Sequence, residues 1–412
     1  MEHRELIPHL YRTEYRKIAS VLSRLFGIAH IEIAEDIVSD TFLLASETWG
    51  QKGLPPNPTA WLYTVSKNKA IDFLKHNAVF DRKITADLKH GNTELREADI
   101  DLSTQNINDS QLQMMFALCH PCIPAESQIG LSLRILCGFS IEEIADAFLT
   151  NKETINKRLY RSKEKLREEN VRIEMPPAKE INNRLDNVLT TLYLLFSEGY
   201  YSSSQHMTLR KDLCLEAMRL SLLLVDNAQT DMPPANALLS LMCFHASRFE
   251  ARINKEGEMI LYEDQDESLW DRELIAKGEY YLSRASTGDR LSKYHLEAAI
   301  AYWHTHKADT HDKWENILQL YNRLLQIEYS PIAALNRTYA LSKANGKQAA
   351  IIEAEKLKLD TNHLYHTLLA ELYDDIDRQH SMTHLQTALD LAKTQSDRHF
   401  IASKIETMRN KI

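Results

Sequence analysis

Apolar residues recur every three or four positions along almost the whole chain, and no stretch alternates apolar with polar as a half-buried strand would. The predicted fold is all-α. Over residues 5–26, Ile7, Leu10, Ile18, Val21, Leu22 and Leu25 share one helical face, and Gly27 stops the helix. A second helix runs from about Ile33 to Trp49. Its apolar stripe is Ala34, Ile37, Val38, Thr41, Leu44 and Ala45, while Glu32, Glu35, Asp36, Asp40 and Glu47 make the rest acidic. An acidic, partly aromatic face with Phe42 and Trp49 suits a basic protein partner, although a plain solvated face has the same charges.

The GLPPNP run at 53–58 breaks the chain before a third helix, from about Thr59 to His76. Here Trp61, Tyr63, Lys67, Asn68, Lys69, Asp72, Phe73 and Lys75 interleave aromatics, amides and cations, a mixture that can stack on unpaired bases and hold their backbone. Trp61 and Phe73 can equally be core. Residues 81–109 hold few apolar side chains and many Asp, Asn, Ser and Thr, the composition of a flexible linker. Two helices follow between Ser110 and Gly138, separated by HPCIPAES.

The stretch Ser140–Arg167 carries the clearest pattern. Ser140 and, three residues on, Glu143 make a capping box, in which each side chain satisfies a backbone N–H left over at a helix start. Thr150 and Glu153 repeat it, which leaves room for only one very short helix between the two starts. Ile141, Ile144, Ala145 and Phe148 share a face of the first helix; Ile155, Leu159, Ser162 and Leu166 share one of the second. Small Ala145 and β-branched Ile155 suit the close crossing of a helix-turn-helix, whose second helix enters the major groove; Leu149 stands at the corner where many such motifs have Gly. Lys152, Glu153, Asn156, Lys157, Tyr160, Arg161 and Lys163 are left outside, and residues 152–167 hold seven Lys or Arg against two Glu. That is a phosphate-facing surface with base-reading groups in it. A charge count alone fits an ordinary solvated helix; the paired caps and matched faces favour the DNA reader.

VRIEMPPAK, with Pro176 and Pro177, marks a further boundary. Beyond it the periodicity predicts helices near 181–198, 208–226, 233–253, 268–285, 291–307, 312–327, 331–344, 347–357, 362–375, 380–393 and 397–410. These are pairs of roughly tetratricopeptide size, and Trp314, Ile317 and Tyr321 keep that repeat's spacing, but the small residues expected at its tight crossings are mostly missing. Stacked pairs make a concave protein-binding surface; a compact bundle without a groove is the alternative.

With 412 residues the chain has room for two or three domains. No segment approaches the length of an apolar membrane span, and MEHRELIPHLYRTEYRK is too charged for a signal peptide, so a soluble, cytoplasmic protein is expected. Five Cys, an odd number embedded in apolar runs, suit a reducing compartment; Cys119 and Cys122 form a CxxC without a second pair, and His304, His306 and His311 lack metal-ligand spacing. The net charge of −9 is spread over the chain, so one basic helix implies weak free DNA affinity and a partner that holds the protein there. No nucleotide loop, triad or metal spacing points to an enzyme, and no cofactor is implied.

Taken in order, these segments resemble bacterial extracytoplasmic-function sigma factors, in the group with a C-terminal helical extension. AEDIVSDTFLLASETW at 34–49 is similar to the domain 2 helix that docks on the β′ clamp of core RNA polymerase, and NPTAWLYTVSKNKAIDFLKH at 57–76 to the helix that opens the promoter −10 element. HPCIPAESQIGLSLRILCGFSIEEIADAFLTNKETINKRLYRSKEKLR at 120–167 is similar to domain 4, which binds the −35 element and the β flap. LFSEGY at 195–200, LYEDQDESLWDRELI at 261–275 and YHLEAAIAYWH at 294–304 resemble segments of the extension.

The resemblance implies sigma domain 2 over residues 1–80, a linker over 81–110, domain 4 over 111–175 and a regulatory, TPR-like extension over 176–412. It places Asp36, Asp40, Phe42 and Trp49 on polymerase, and Trp61, Tyr63, Lys67, Asn68, Asp72 and Lys75 at the −10 element. Lys152, Glu153, Thr154, Asn156, Lys157, Arg158 and Arg161 would face the −35 element. Ser39 stands where the family has Gln, and the NKEGE turn at 254–258 where related extensions have Asp-Gly. Implied partners are core polymerase, promoter DNA and an intramolecular or protein partner of the extension. A stand-alone helix-turn-helix regulator with a partner-binding domain is the competing reading, and a scaffold with an incidental basic helix is a third.

Overall fold

The computed structural model describes residues 3–80, 100–148, 150–201, 210–253, 260–288, 290–393 and 395–410. Among them are eighteen α-helices and three 3-10 turns with no strand, as the all-α expectation requires. The chain forms two compact units, residues 1–195 and 196–412.

In the first unit, α1 (His3–Phe26), α2 (Ile31–Lys52) and α3 (Pro58–Phe80) enclose a core centred on Ile18, Leu22, Val38 and Leu62, all without exposure. Fully buried Ala34, Ala45 and Ala70 let the backbones approach. Leu44, expected in the α2 stripe, is exposed instead, and Phe42 fills the core with its ring 5.2 Å from Tyr11. The cause is register: Val38, Phe42, Ala45 and Trp49 are spaced four, three and four apart and form the inward row.

The helix α4 (Thr104–Leu118) begins inside the span 81–110 expected as linker. Residues 81–99 lie outside the described residues. From Ile100 onward the chain is anchored, because Ile100 and Ile107 enter the same core as α1 and the Ser103 hydroxyl accepts the Asn106 N–H at the helix start. Residues 111, 112 and 114–118 are buried, since α4 packs along α1 and also meets α5 (Ala125–Ile135). The helices α6 (Ile141–Ala147) and α7 (Lys152–Glu168) follow. The Pro176–Pro177 segment is also anchored rather than free, through buried Val171 and Ile173. Beyond it, α8 (Ala178–Tyr201) places buried Arg184 where its guanidinium donates to the Phe116 carbonyl at 3.1 Å. The first part of that helix therefore belongs with the first unit.

In the second unit, α10 (Pro233–Ala246) is buried on nearly all sides and packs against α9 (Lys211–Val225), α11 (Arg272–Ala285) and α12 (Lys293–Trp303). The Ser240 hydroxyl donates to the Gly278 carbonyl at 2.7 Å, and a Cβ on Gly278 would lie 2.5 Å from the Phe244 ring, so only glycine fits this crossing. Next come α13 (His311–Ile327), α14 (Pro331–Asn345), α15 (Lys347–Leu357), α16 (His363–Tyr373), α17 (Arg378–Leu391) and α18 (Gln395–Asn410), each packed on the one before. Three apolar clusters follow in chain order, around Ile317, Ala350 and Ala388. The expectation of few small residues at the crossings fails: Ala340, Ala350, Ala354 and Ala388 are all fully buried there. Trp314 and Ile317 are core residues as their spacing implied.

Candidate nucleic-acid interface

The helix-turn-helix is built as its pattern predicts, with one change of cap. The Ser140 hydroxyl accepts the Glu143 N–H at 3.1 Å, and the Ser140 N–H donates to the Glu143 carboxylate at 2.7 Å, closing the box on the seven-residue α6. The second helix is capped by Asn151, not Thr150: its side-chain oxygen accepts the Thr154 N–H at 2.8 Å, while the Thr150 N–H turns back to the Ala145 carbonyl at 2.9 Å. Thr150 is thus consumed in ending the first helix, and the next polar residue starts the second. Ile144 and Ala145 are buried, as are Ile155, Leu159, Ser162 and Leu166 on the facing row. A Cβ on Gly130 of α5 would stand 3.3 Å from Leu159, which shows how close these helices lie. Leu149 is outside the described residues.

That packing turns Lys152, Glu153, Thr154, Asn156, Lys157 and Arg161 outward, all exposed. Arg158 is different. Its guanidinium pairs with Glu126 at 3.0 Å and lies 5.6 Å from the Phe148 ring, so it braces the motif. Lys152 is held by Glu142 at 2.6 Å, leaving Lys157 and Arg161 as the cations of this group without an ion pair among the described residues. Tyr160, 67% exposed between them, belongs to the same surface although it was left out of the expected −35 set. Its signal was present in the sequence: an aromatic on the polar face of a basic helix.

On α2, Asp36 and Asp40 are exposed one turn apart, and Leu43 continues the row at 60% exposure. Phe42 and Trp49, expected on this docking face, are each only 5% exposed, and Trp49 sits 5.3 Å from Trp61, edge to face. They shape the face from behind and do not form it; Leu43 is the apolar residue that sequence reading missed. Ser39 is tied down locally, its hydroxyl donating to the Glu35 carbonyl at 2.8 Å and lying 3.1 Å from the Tyr15 hydroxyl.

On α3 the six expected −10 residues do not share one surface. Trp61, Asn68, Asp72 and Lys75 fall along one face at helical spacing, with Trp61 half-buried and the other three exposed. Tyr63 and Lys67 lie on the other side, where the Tyr63 hydroxyl donates to Glu14 at 2.7 Å. Two-residue steps along a helix rotate a side chain more than halfway round, so the run of polar and aromatic letters spans two faces.

This part of the unit also packs on α1 and the start of α2. Arg16 of α1 donates to the Ile135 carbonyl at the end of α5 (2.8 Å) and pairs with Glu35 at 3.3 Å; a Cβ on Gly138 would come within 2.9 Å of that guanidinium. Lys163 and Arg167, on the last turns of α7, both reach Glu32 at 2.8 Å. Burial works against the Glu32 carboxylate, yet the Lys163 hydrogen bond, its own backbone and the charges of Lys163 and Arg167 hold its pKa below the usual range. Behind this surface the Cys119 thiol is buried and pushed up to about 12, mainly by desolvation, and stays protonated at neutral pH.

These features define an α-helical module of helix-turn-helix type, built against a three-helix domain with an acidic face. The family model of sigma-70 region 2 matches residues 10–79, and that of a family of unknown function (DUF6596) matches residues 184–286. An uncharacterized protein, R00370 of Rhizobium meliloti, is 32% identical over 92% of this chain and 90% of its own length. A probable RNA polymerase sigma factor of Haemophilus influenzae is 22% identical over 32% of this chain and 74% of its own. RNA polymerase sigma factor YlaC of Bacillus subtilis is 26% identical over 40% and 93%. No solved structure matches the chain. The chain therefore belongs to the same family as the Rhizobium protein, and its region 2 match with its likeness to the two sigma factors marks it as an extracytoplasmic-function-like sigma factor with a C-terminal extension. No described helix is long and apolar enough to cross a membrane.

Proposed function

We propose that the protein joins core RNA polymerase and directs it to promoters, with the exposed row Asp36, Asp40 and Leu43 on the polymerase clamp. The exposed face of α3, with Trp61, Asn68, Asp72 and Lys75, captures unpaired bases of the −10 element. The outward face of α7, led by Asn156, Lys157 and Arg161, reads the −35 element as duplex. The observation that carries this reading is the coexistence, in one compact unit, of a capped helix-turn-helix with outward cations and an acidic helix matched by the sigma-70 region 2 family. An acidic protein with few exposed cations on its reading helix needs a large partner to supply most of the binding energy. In this reading the Glu32 pairs with Lys163 and Arg167 belong to a resting state, and the two modules part when polymerase and DNA are engaged.

Reconstitution with core polymerase tests the proposal, using DNA from upstream of the protein's own gene. Co-elution with polymerase and a discrete transcript are expected. Tight specific binding to a palindrome without polymerase, and no transcript with it, would instead make the chain a stand-alone regulator.

The extension, on this reading, controls the sigma module in place of a separate inhibitor. Its size supports this: residues 196–412 form a compact unit of their own. Cutting after Tyr201 is expected to change transcription; equal activity of the full and cut chains would remove the regulatory role.

A further inference from the structure

The extension holds two buried cations that no carboxylate meets in an ion pair among the described residues, although the charge of Asp309 is felt at Lys313. Arg248 is 7% exposed and Lys313 is 2% exposed. Both gather on one ring: the Arg248 guanidinium lies 5.4 Å and the Lys313 ammonium 5.1 Å from the centre of Tyr262. Trp270 and His304 complete the surround, their rings 6.2 Å and 5.1 Å from that of Tyr262.

The carboxylates nearby are engaged with other groups. Asp309 accepts from the Trp314 indole and meets Lys343 at 3.5 Å; Glu263 accepts from the Tyr339 hydroxyl and meets Lys343 at 3.5 Å; Glu267 pairs with Arg272. Lys313 donates to the Tyr262 hydroxyl at 3.1 Å and the His306 carbonyl at 2.6 Å, both neutral acceptors. A buried charge without a counter-charge is costly.

The same cluster contains buried polar atoms with no partner: Arg248 Nε, Trp270 Nε1, His304 Nδ1 and Gln265 Oε1. Two of these are obligate donors, one ring nitrogen can donate, and only one is an acceptor. His304 is neutral here, its pKa lowered to about 3 by burial and by the Arg248 and Lys313 charges. Unpartnered donors beside cations without an ion pair are the complement of an oxyanion. A cavity of about 350 Å³ is lined by Thr305, His306 and Lys307 with Arg272, Glu267 and Glu279, and it meets the cluster at His306, the residue whose carbonyl accepts from Lys313.

The geometry points to a binding site for an anionic group, a phosphate or carboxylate carried by a small molecule. Arg248 and Lys313 hold its charge, and Trp270 and His304 donate to its oxygens. The inference is independent of the promoter reading, because binding is measured without polymerase or DNA.

Isothermal titration of the full-length protein with inorganic phosphate and, separately, with succinate, at constant ionic strength in chloride, tests it and tells the two chemistries apart. Saturable binding of one of them at a single site is expected, weakened about tenfold or more by Arg248→Gln and by Lys313→Met. Trp270→Phe, which removes the N–H with part of the indole but keeps an aromatic ring, is expected to weaken it about threefold or more and serves if the charge variants do not fold. Arg161→Ala, on the DNA-reading helix, should bind as the wild type does. Absence of saturable binding would mean that ordered water satisfies these atoms and would overturn the proposal. So would binding that survives Arg248→Gln and Trp270→Phe, or that is lost in Arg161→Ala.

Discussion

Lys157 and Lys313 lie on helices of similar length in the two units, and their fates are opposite. Lys157 stands on the polar side of α7, exposed and without an ion pair among the described residues. Lys313 sits in the first turn of α13 and is buried among aromatic rings. In the first unit, cations left outside a small core make a surface that can meet phosphate at little cost. In the second, cations taken inside must be matched by something that carries negative charge. On the proposed readings the difference separates a surface that meets DNA from an interior that binds an anion, and charge letters alone do not distinguish the two.

The largest expected effect lies in the core of the helix-turn-helix. Leu159→Ala removes a 5%-exposed side chain lodged against Gly130 and is expected to cost about 2–5 kcal/mol. Amide exchange should accelerate across α5 to α7 while α10 keeps its protection. Equal loss in both units would mean that they unfold together. Gly278→Ala is the counterpart in the extension. With a Cβ 2.5 Å from the Phe244 ring, overpacking of about 1–3 kcal/mol is expected, seen as a lower denaturation midpoint. An unchanged midpoint would show that the ring can move aside.

A smaller effect is expected where the reading motif meets the start of α2. Glu32 and its two partners are partly exposed, so Glu32→Gln should cost no more than about 1 kcal/mol at neutral pH. The folded carboxyl has a pKa below the ordinary 4.5, so its contribution is complete above that pH. It fades as pH falls through the lower folded value. The stability difference between wild type and variant, measured by denaturant titration, should therefore vanish in acid; a difference that persisted there would point to packing instead.

Much of this was legible in the sequence, for identifiable reasons. The faces Ile144 and Ala145 against Ile155, Leu159, Ser162 and Leu166 follow from helical periodicity, and the Ser140 box from local hydrogen bonding; both depend on residues a few positions apart. Phe42 and Trp49 were misplaced because an aromatic in an acidic helix can serve either as core or as contact, and only the register of Val38 and Ala45 decides. The reach of Arg16 to the Ile135 carbonyl joins positions 119 residues apart and leaves no local trace. Lys313 gave no sign either. At a helix start beside His311 and Asp312 it reads as solvated, and its burial follows from Tyr262 folding over it, 51 residues away.

If the protein grips promoter DNA at two points, footprinting with core polymerase will show both. Wild type should protect both promoter boxes. With Arg161→Ala the upstream box should lose protection while polymerase binding and the downstream box are retained. Unchanged protection of the upstream box, or loss of polymerase binding, would contradict the assignment of α7 as its reader.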